Sequence, residues 1–198
     1  DRASIETASH AVLAQLGAPT VLVNNAGIDQ PPDSPAGRHH LQDLPMDSFR
    51  RMVEVNLLGT FQVTQVFGAL MAAHGGGSII NIASVSGISA TEGLGASAHA
   101  AGKGGVIGWT RQGAIEGAPH WIRVNSISPG PILTPAVQPY YEGDQEFRRW
   151  FDGQTMLPRT GRAIDIAYAG LFLASELRLG NNTWRLRNPA NGRVLWID

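Results

Sequence analysis

The residues best suited to chemistry lie far apart in the chain and need a fold to bring them together. His99 and Lys103 stand four positions apart in a stretch of Ala, Gly and apolar residues, where Lys103 is the only charged side chain between Glu92 and Arg111. On a helix that spacing puts both on one face. A cation there must find solvent or a polar partner, so Lys103 is either a solvated surface lysine or a group held against a ligand. Ser84 follows the apolar run Ser78–Ala83 and is either a turn serine or a hydroxyl offered to a substrate. Asn56, between Val55 and Leu57, is either an exposed polar position or an amide that disturbs its helix locally. Asn24-Asn25-Ala26-Gly27 is either a plain turn or a pair of amides bridging neighbouring strand ends, with Gly27 admitting a ligand close to the backbone. The chain has no cysteine, which removes thiolate metal ligands and a cysteine nucleophile, and no metal centre is expected.

The elements that must position these groups follow from hydrophobic period. Ile5, Ala8, Val12, Leu13 and Leu16 predict a helix over 4–16, stopped by Gly17 and Pro19. Thr20–Val23 predicts a buried strand, and residues 28–44, with Pro31, Pro32, Pro35 and Gly37, a loop. A long helix is predicted from Asp47 to His74, a strand over 78–83, a helix over 96–115 and a strand over 121–127. Residues 131–160 hold Pro and aromatics with little regular pattern, 163–177 predict a helix, 178–192 a loop and 193–197 a final strand. Apolar strands alternating with helices imply a single α/β domain over 1–198: a doubly wound parallel sheet in a three-layer, Rossmann-like sandwich. Such sheets bind ligands beyond the carboxyl ends of their strands. The turns at 24–27, 84–87 and 128–130 should therefore share one edge.

Composition narrows the rest. With 198 residues, 43% of them hydrophobic, the chain can bury a core. Its net charge of −1 and lack of a basic stripe argue against nucleic acid or anionic membrane as partners. Residues 1–10 are polar, and no run is expected to reach the roughly 20 apolar residues of a membrane span. A cytoplasmic protein is expected.

In order and spacing, several segments together resemble the short-chain dehydrogenase/reductase family, of the FabG-like (3-oxoacyl-acyl-carrier-protein reductase) type. They are Val21–Gly27, Val55–Thr60, Gly77–Ser84, Lys103–Val106, Arg123–Asn125 and Pro129-Gly130 with Thr134. The resemblance covers residues 1–175 and, weakly, 193–198. It implies hydride transfer between NAD or NADP and a small carbonyl or secondary alcohol. Asn24, Ala26 and Gly27 would support the sheet and flank the adenosine side of the cofactor. Asn56 would hold a relay water, Ser84 would bond the substrate oxygen, and Lys103 would contact the nicotinamide ribose. Pro129, Gly130, Ile132 and Thr134 would border the nicotinamide and pyrophosphate. Residues 131–160 would form a substrate lid whose aromatics suit an apolar substrate. The helices over 47–74 and 96–115 would pair across a two-fold axis in a homodimer or homotetramer.

Two departures stand beside these matches. The family's acid/base is a Tyr four residues before the Lys, and that position here is His99, after a loop from Ser84 about two residues longer than usual. A His starts near a pKa of about 6.5, and a neighbouring cation lowers it. Turnover should be reduced or altered, and a non-catalytic binding or assembly subunit on the same fold is the competing expectation. Second, no Gly-x-x-x-Gly-x-Gly turn precedes Asn24, and the chain starts at the helix that follows the family's second strand. The residue that selects NAD or NADP lies with that turn. A longer chain is expected, because removing two strands would expose a large apolar sheet face. Residues 178–191 also depart from the family's short connection, and the chain stops at Asp198 where the family continues into glycines.

Overall fold

A computed structural model describes residues 1–29, 43–90 and 96–175, with short strands within 178–195. Helix α1 (Arg2–Leu16) starts at Asp1, whose carboxylate accepts from the Ser4 N–H at 2.9 Å. Strand β1 (Val21–Asn24) follows. Beyond 43 the chain forms α2 (Met46–Val53), a π-helical turn (Glu54–Gly59) and α3 (Thr60–Ala73), then β2 (Gly77–Ile82) and a 3₁₀ turn (Val85–Gly87). Helix α4 (Ser97–Gly117) leads into β3 (Ile122–Ile127).

The β-branched and apolar runs do what their composition requires of buried parallel strands. They form a parallel sheet in the order β1-β2-β3, with Asn24 opposite Asn81 and Ile82 opposite Ile127. Residues Ile79 and Asn81 face α3 and α4: Met71, Ile79, Ala114, Ile122 and Val124 form one buried cluster, with Leu22 and Ala72 packed on it. A second joins Ala83, Val106, Ile107 and Leu57. Each fully buried side chain of this size contributes roughly 1.5–3 kcal/mol. The opposite face meets α7 (Ala163–Ala174), where Ser78 Oγ donates to Leu173 O at 2.9 Å and Arg123 Nη1 to the same oxygen at 2.8 Å. Helices on both faces make the expected three-layer α/β sandwich.

At the amino end of the sheet the backbones touch. Gly76 and Gly77 have φ of 91° and 151°, and a Cβ on them would strike the carbonyls of Trp121 and Thr20 respectively. Only glycine fits there.

Three expectations are corrected. Residues 131–160 are not irregular: β4 (Ile132–Leu133) pairs with β5 (Gly161–Arg162), and α5 (Gln138–Gly143) and α6 (Gln145–Gly153) lie between them. Asp144 caps α6, accepting from the N–H groups of Glu146 and Phe147 at 2.8 and 3.0 Å. The final strand is shorter and elsewhere: β9 (Val194–Leu195) pairs antiparallel with β8 (Leu186–Arg187), and β6 (Arg178–Leu179) with β7 (Asn182–Thr183). Last, the continuous helical stretch Met46–Ala73 is long and apolar enough to cross a membrane by length and composition. In this fold Met52, Asn56, Thr60 and Met71 of that stretch are buried. Most of the proline-rich loop expected over 28–44 lies outside the described residues.

Candidate active site at the carboxyl edge of the sheet

Register brings the three polar turns to one edge. Val85 N–H donates to Pro129 O at 3.0 Å, and Ala83 N–H to Ile127 O at 2.8 Å, so the loops after β2 and β3 are tied together just beyond the strands.

The asparagines of this edge do bridge strand ends. Asn24 Nδ2 donates to Asn81 Oδ1 at 2.8 Å and to Thr64 Oγ1 at 2.9 Å. Asn81 Nδ2 donates to Thr110 Oγ1 at 2.9 Å, and Thr110 Oγ1 to Val106 O at 2.7 Å. This chain of amides and hydroxyls crosses from α3 through β1 and β2 to α4. Asn24 is thereby spent on the scaffold.

Asn56 is fully buried, not an exposed polar position. It sits in the π-helical turn, which is the local helix disturbance expected of it. Its Nδ2 donates to Ile28 O at 2.9 Å and to Met52 Sδ at 2.9 Å, and its Oδ1 accepts from Ile28 N–H at 2.8 Å. Both N–H groups are used; Oδ1 keeps a second lone pair, as does the carbonyl that accepts from Thr60 Oγ1 at 2.9 Å. Gly27 makes room for this arrangement. A Cβ there would stand 3.0 Å from Asn56 Oδ1 and 3.7 Å from Lys103 Nζ, so its bareness serves protein packing.

Lys103 is no solvated lysine. It is 8% exposed, and its Nζ donates to Ile82 O, two residues before Ser84, at 2.7 Å. Burial lowers its pKa, and the charge of Asp29 partly opposes this. Among the described residues this is its one hydrogen bond, which leaves two N–H donors on the ammonium. The 3₁₀ turn after Ser84 lies directly on α4, since a Cβ on Gly87 would come 2.8 Å from both Gly104 N and Lys103 C. Ser84 Oγ accepts from Ser86 N–H at 3.2 Å, a bond that does not use its hydroxyl hydrogen.

His99, one turn before Lys103, is mostly enclosed, with 14% of its side chain exposed. Its Nδ1 lies 3.4 Å from Asp29 Oδ1, close enough for an ion pair but outside hydrogen-bond geometry. Burial lowers its pKa most, Asp29 raises it and Lys103 lowers it.

The remaining positions are looser. Ala26 and Gly130 are exposed, and a Cβ on Gly130 would meet nothing within 4 Å. Ile132 packs on Gly161, and Thr134 O accepts from the N–H groups of Val137 and Gln138 at 3.0 and 2.9 Å, starting α5. In this segment Tyr141, Phe147, Trp150 and Phe151 form an aromatic cluster, with Phe147 and Phe151 stacked at 5.6 Å between centroids and Tyr141 edge-on to Phe151. Tyr141 OH and Thr160 Oγ1 both donate to Asp152, at 3.0 and 2.6 Å. Sequence reasoning missed Asp29, the Ile28 backbone and the Ile82 carbonyl. Only Asp29 left a signal, as an acid two residues past the Asn-Asn-Ala-Gly turn.

Among the described residues no cluster of three or more His, Asp or Glu could hold a metal. The polar groups along this sheet edge, a buried ammonium with spare N–H donors, a serine hydroxyl and an imidazole, are of the kinds that can hold a dinucleotide, and a Cβ on Gly130 would meet nothing within 4 Å.

Comparison with known proteins gives a consistent picture. The family model described as Enoyl-(Acyl carrier protein) reductase matches residues 1–181. An oxidoreductase of Bacillus subtilis (strain 168) is 38% identical over 181 residues, covering 89% of this chain and 63% of the relative. The 3-oxoacyl-[acyl-carrier-protein] reductase FabG of Thermotoga maritima is 37% identical over 176 residues, covering 89% of this chain and 67% of the relative. The crystal structure of a gluconate 5-dehydrogenase from Burkholderia cenocepacia J2315 in complex with NADP and tartrate superposes with a TM-score of 0.77 at 32% identity, covering 88% of this chain and 65% of that one. The chain thus spans about 63% of the length of the first of these relatives.

Proposed function

The chain belongs to the short-chain dehydrogenase/reductase family, and on that premise we propose that it moves a hydride between NAD or NADP and a small carbonyl or secondary alcohol. The observation that carries the reading is Lys103. A buried ammonium on Ile82 O, beside the turn that begins at Ser84, is costly unless it serves a polar ligand.

The nicotinamide supplies or accepts the hydride when bound. Lys103 offers its two remaining N–H groups to the ribose, Ser84 donates its hydroxyl hydrogen to the substrate oxygen, and His99 exchanges the proton. A relay water would sit on the spare lone pair of Asn56 O or Oδ1, since both Nδ2 hydrogens are already donated, to Ile28 O and Met52 Sδ. Ala26 and Gly27, with Asn24 behind them, flank the adenosine side; Pro129, Gly130, Ile132 and Thr134 border the nicotinamide and pyrophosphate. Residues 131–160 act as a lid over the substrate, and their stacked aromatics favour an apolar one. Homodimer or homotetramer formation through the helical stretch Met46–Ala73 and α4 would cover Leu58 and Ile115, which stand 48% and 66% exposed. A cytoplasmic location is consistent with a chain free of cysteine.

His99 favours a second reading, a binding or assembly subunit without turnover. Titrating the full chain with NADH and with NADPH, followed by fluorescence, separates the two. Saturable binding of either supports the oxidoreductase; binding of neither ends it.

A further inference from the structure

The Nδ1 of His99 is a buried ring nitrogen with no hydrogen bond, 3.4 Å from a carboxylate that is itself 79% exposed. Buried ring nitrogens ordinarily find partners. The carboxylate comes from a fixed place: Asp29 follows Ile28, whose backbone is held at both N–H and C=O by Asn56. His99 also sits in the first turn of α4, where the helix dipole disfavours a cation, and Lys103 on the next turn disfavours it again. Against these, Asp29 favours the charged ring. Among the described residues, Asn56 and Met52 O from the helical stretch before it lie at Gly102, and Gly87 of the 3₁₀ turn lies against Lys103 and Gly104.

We propose that Asp29 and His99 form a carboxylate–imidazole pair that takes the place of the family's tyrosine. Asp29 is the positioning residue and His99 the acid/base. Asp29 holds the ring with Nδ1–H turned towards its carboxylate, leaving Nε2 for the substrate oxygen. This rests on the oxidoreductase reading above. In the reducing direction the imidazolium form of His99 gives its Nε2 proton to the substrate oxygen, leaving the neutral ring with its proton on Nδ1, while the carbonyl carbon accepts a hydride from NAD(P)H. The carbonyl π pair moves to oxygen, one C–H and one O–H bond form, NAD(P)⁺ remains, and His99 regains a proton from water. Asp29 neither gives nor takes a proton in the step. Alcohol oxidation is the reverse.

The test is ¹⁵N NMR of the histidine side chains in the full chain without cofactor, with His99→Gln to assign the signal. The pair predicts that neutral His99 carries its proton on Nδ1 and that Asp29→Asn moves its titration to lower pH. Asp29→Glu should restore the wild-type position, and added salt should shrink the difference, because Asp29 is exposed. With cofactor and substrate, Asp29→Asn should lower reductive kcat/KM at neutral pH by roughly threefold or more, with KM for the cofactor unchanged. An unmoved titration, or a neutral ring protonated on Nε2, overturns the pair while leaving cofactor binding intact. If wild type and variants alike bind neither NADH nor NADPH, the oxidoreductase reading fails, and the catalytic role of the pair fails with it.

Discussion

The side-chain amide of Asn56 meets the backbone of Ile28 twice, donating to its carbonyl at 2.9 Å and accepting from its N–H at 2.8 Å. This is the pairing a neighbouring strand would give. It fixes the chain beyond β1 and so positions Gly27 against Lys103 and Asp29 against His99. Asn56→Leu should leave both Ile28 groups without partners, at about 1–3 kcal/mol each. Urea denaturation should show a lowered midpoint, and cofactor affinity should fall. A stable variant with unchanged affinity would show that Asn56 does not set the site.

Replacing His99 by Tyr tests the acid directly. A phenol next to Lys103 gains acidity from the cation, whereas an imidazolium there loses stability. His99→Tyr should raise kcat/KM in the full chain by about tenfold or more, within the range that acid–base catalysis supplies. No gain would mean that proton transfer is not the limiting defect.

Acid should loosen the fold through His99. Its pKa is held below the ordinary 6.5, chiefly by burial. The unfolded chain therefore takes up a proton that the folded chain resists. Stability from the neutral ring is complete above pH 6.5 and is lost as pH falls through the depressed value. Denaturant midpoints between neutral and mildly acid pH should drop more for wild type than for His99→Gln. Equal slopes would count against a buried, hard-to-charge ring.

The lid has its own small core. Phe151 is 5% exposed, stacks on Phe147 and meets Tyr141 edge-on. Phe151→Ala should remove about 3–4 kcal/mol of local packing. Amides of α6 should then exchange faster while those of β2 and β3 keep their protection, and KM for substrate should rise more than kcat falls. Uniform loss of protection would show that the segment is part of the main core.

The order of helices and strands was readable because the apolar residues of α1, α3, β2 and β3 repeat with clear periods, and because a parallel sheet obliges polar turns to share an edge. Residues 131–160 were not, since α5 and α6 are short, begin or end at Pro139, Gly143 and Gly153, and bury aromatics mainly against each other. The π-helical turn has no period of its own. Lys103, Ser84 and Asn56 could be singled out by type and setting, yet the burial of Lys103 and Asn56 depended on partners 21 and 28 residues away, Ile82 and Ile28. The contact between Asp29 and His99 spans a longer stretch, and no local pattern announces it.

The two ends of the sheet tolerate change very differently. At Gly76 and Gly77 peptide groups of adjoining segments are in contact, and any added carbon strikes a main-chain carbonyl. Substitution there would have to move whole strands. At the opposite end the backbones also touch at Gly87, but position 99 lies in the first turn of α4 and not on a strand, so exchanging one ring for another there leaves the strands where they are. An ancestor could thus swap its proton-carrying group, trading phenol for imidazole at position 99, without renegotiating the architecture.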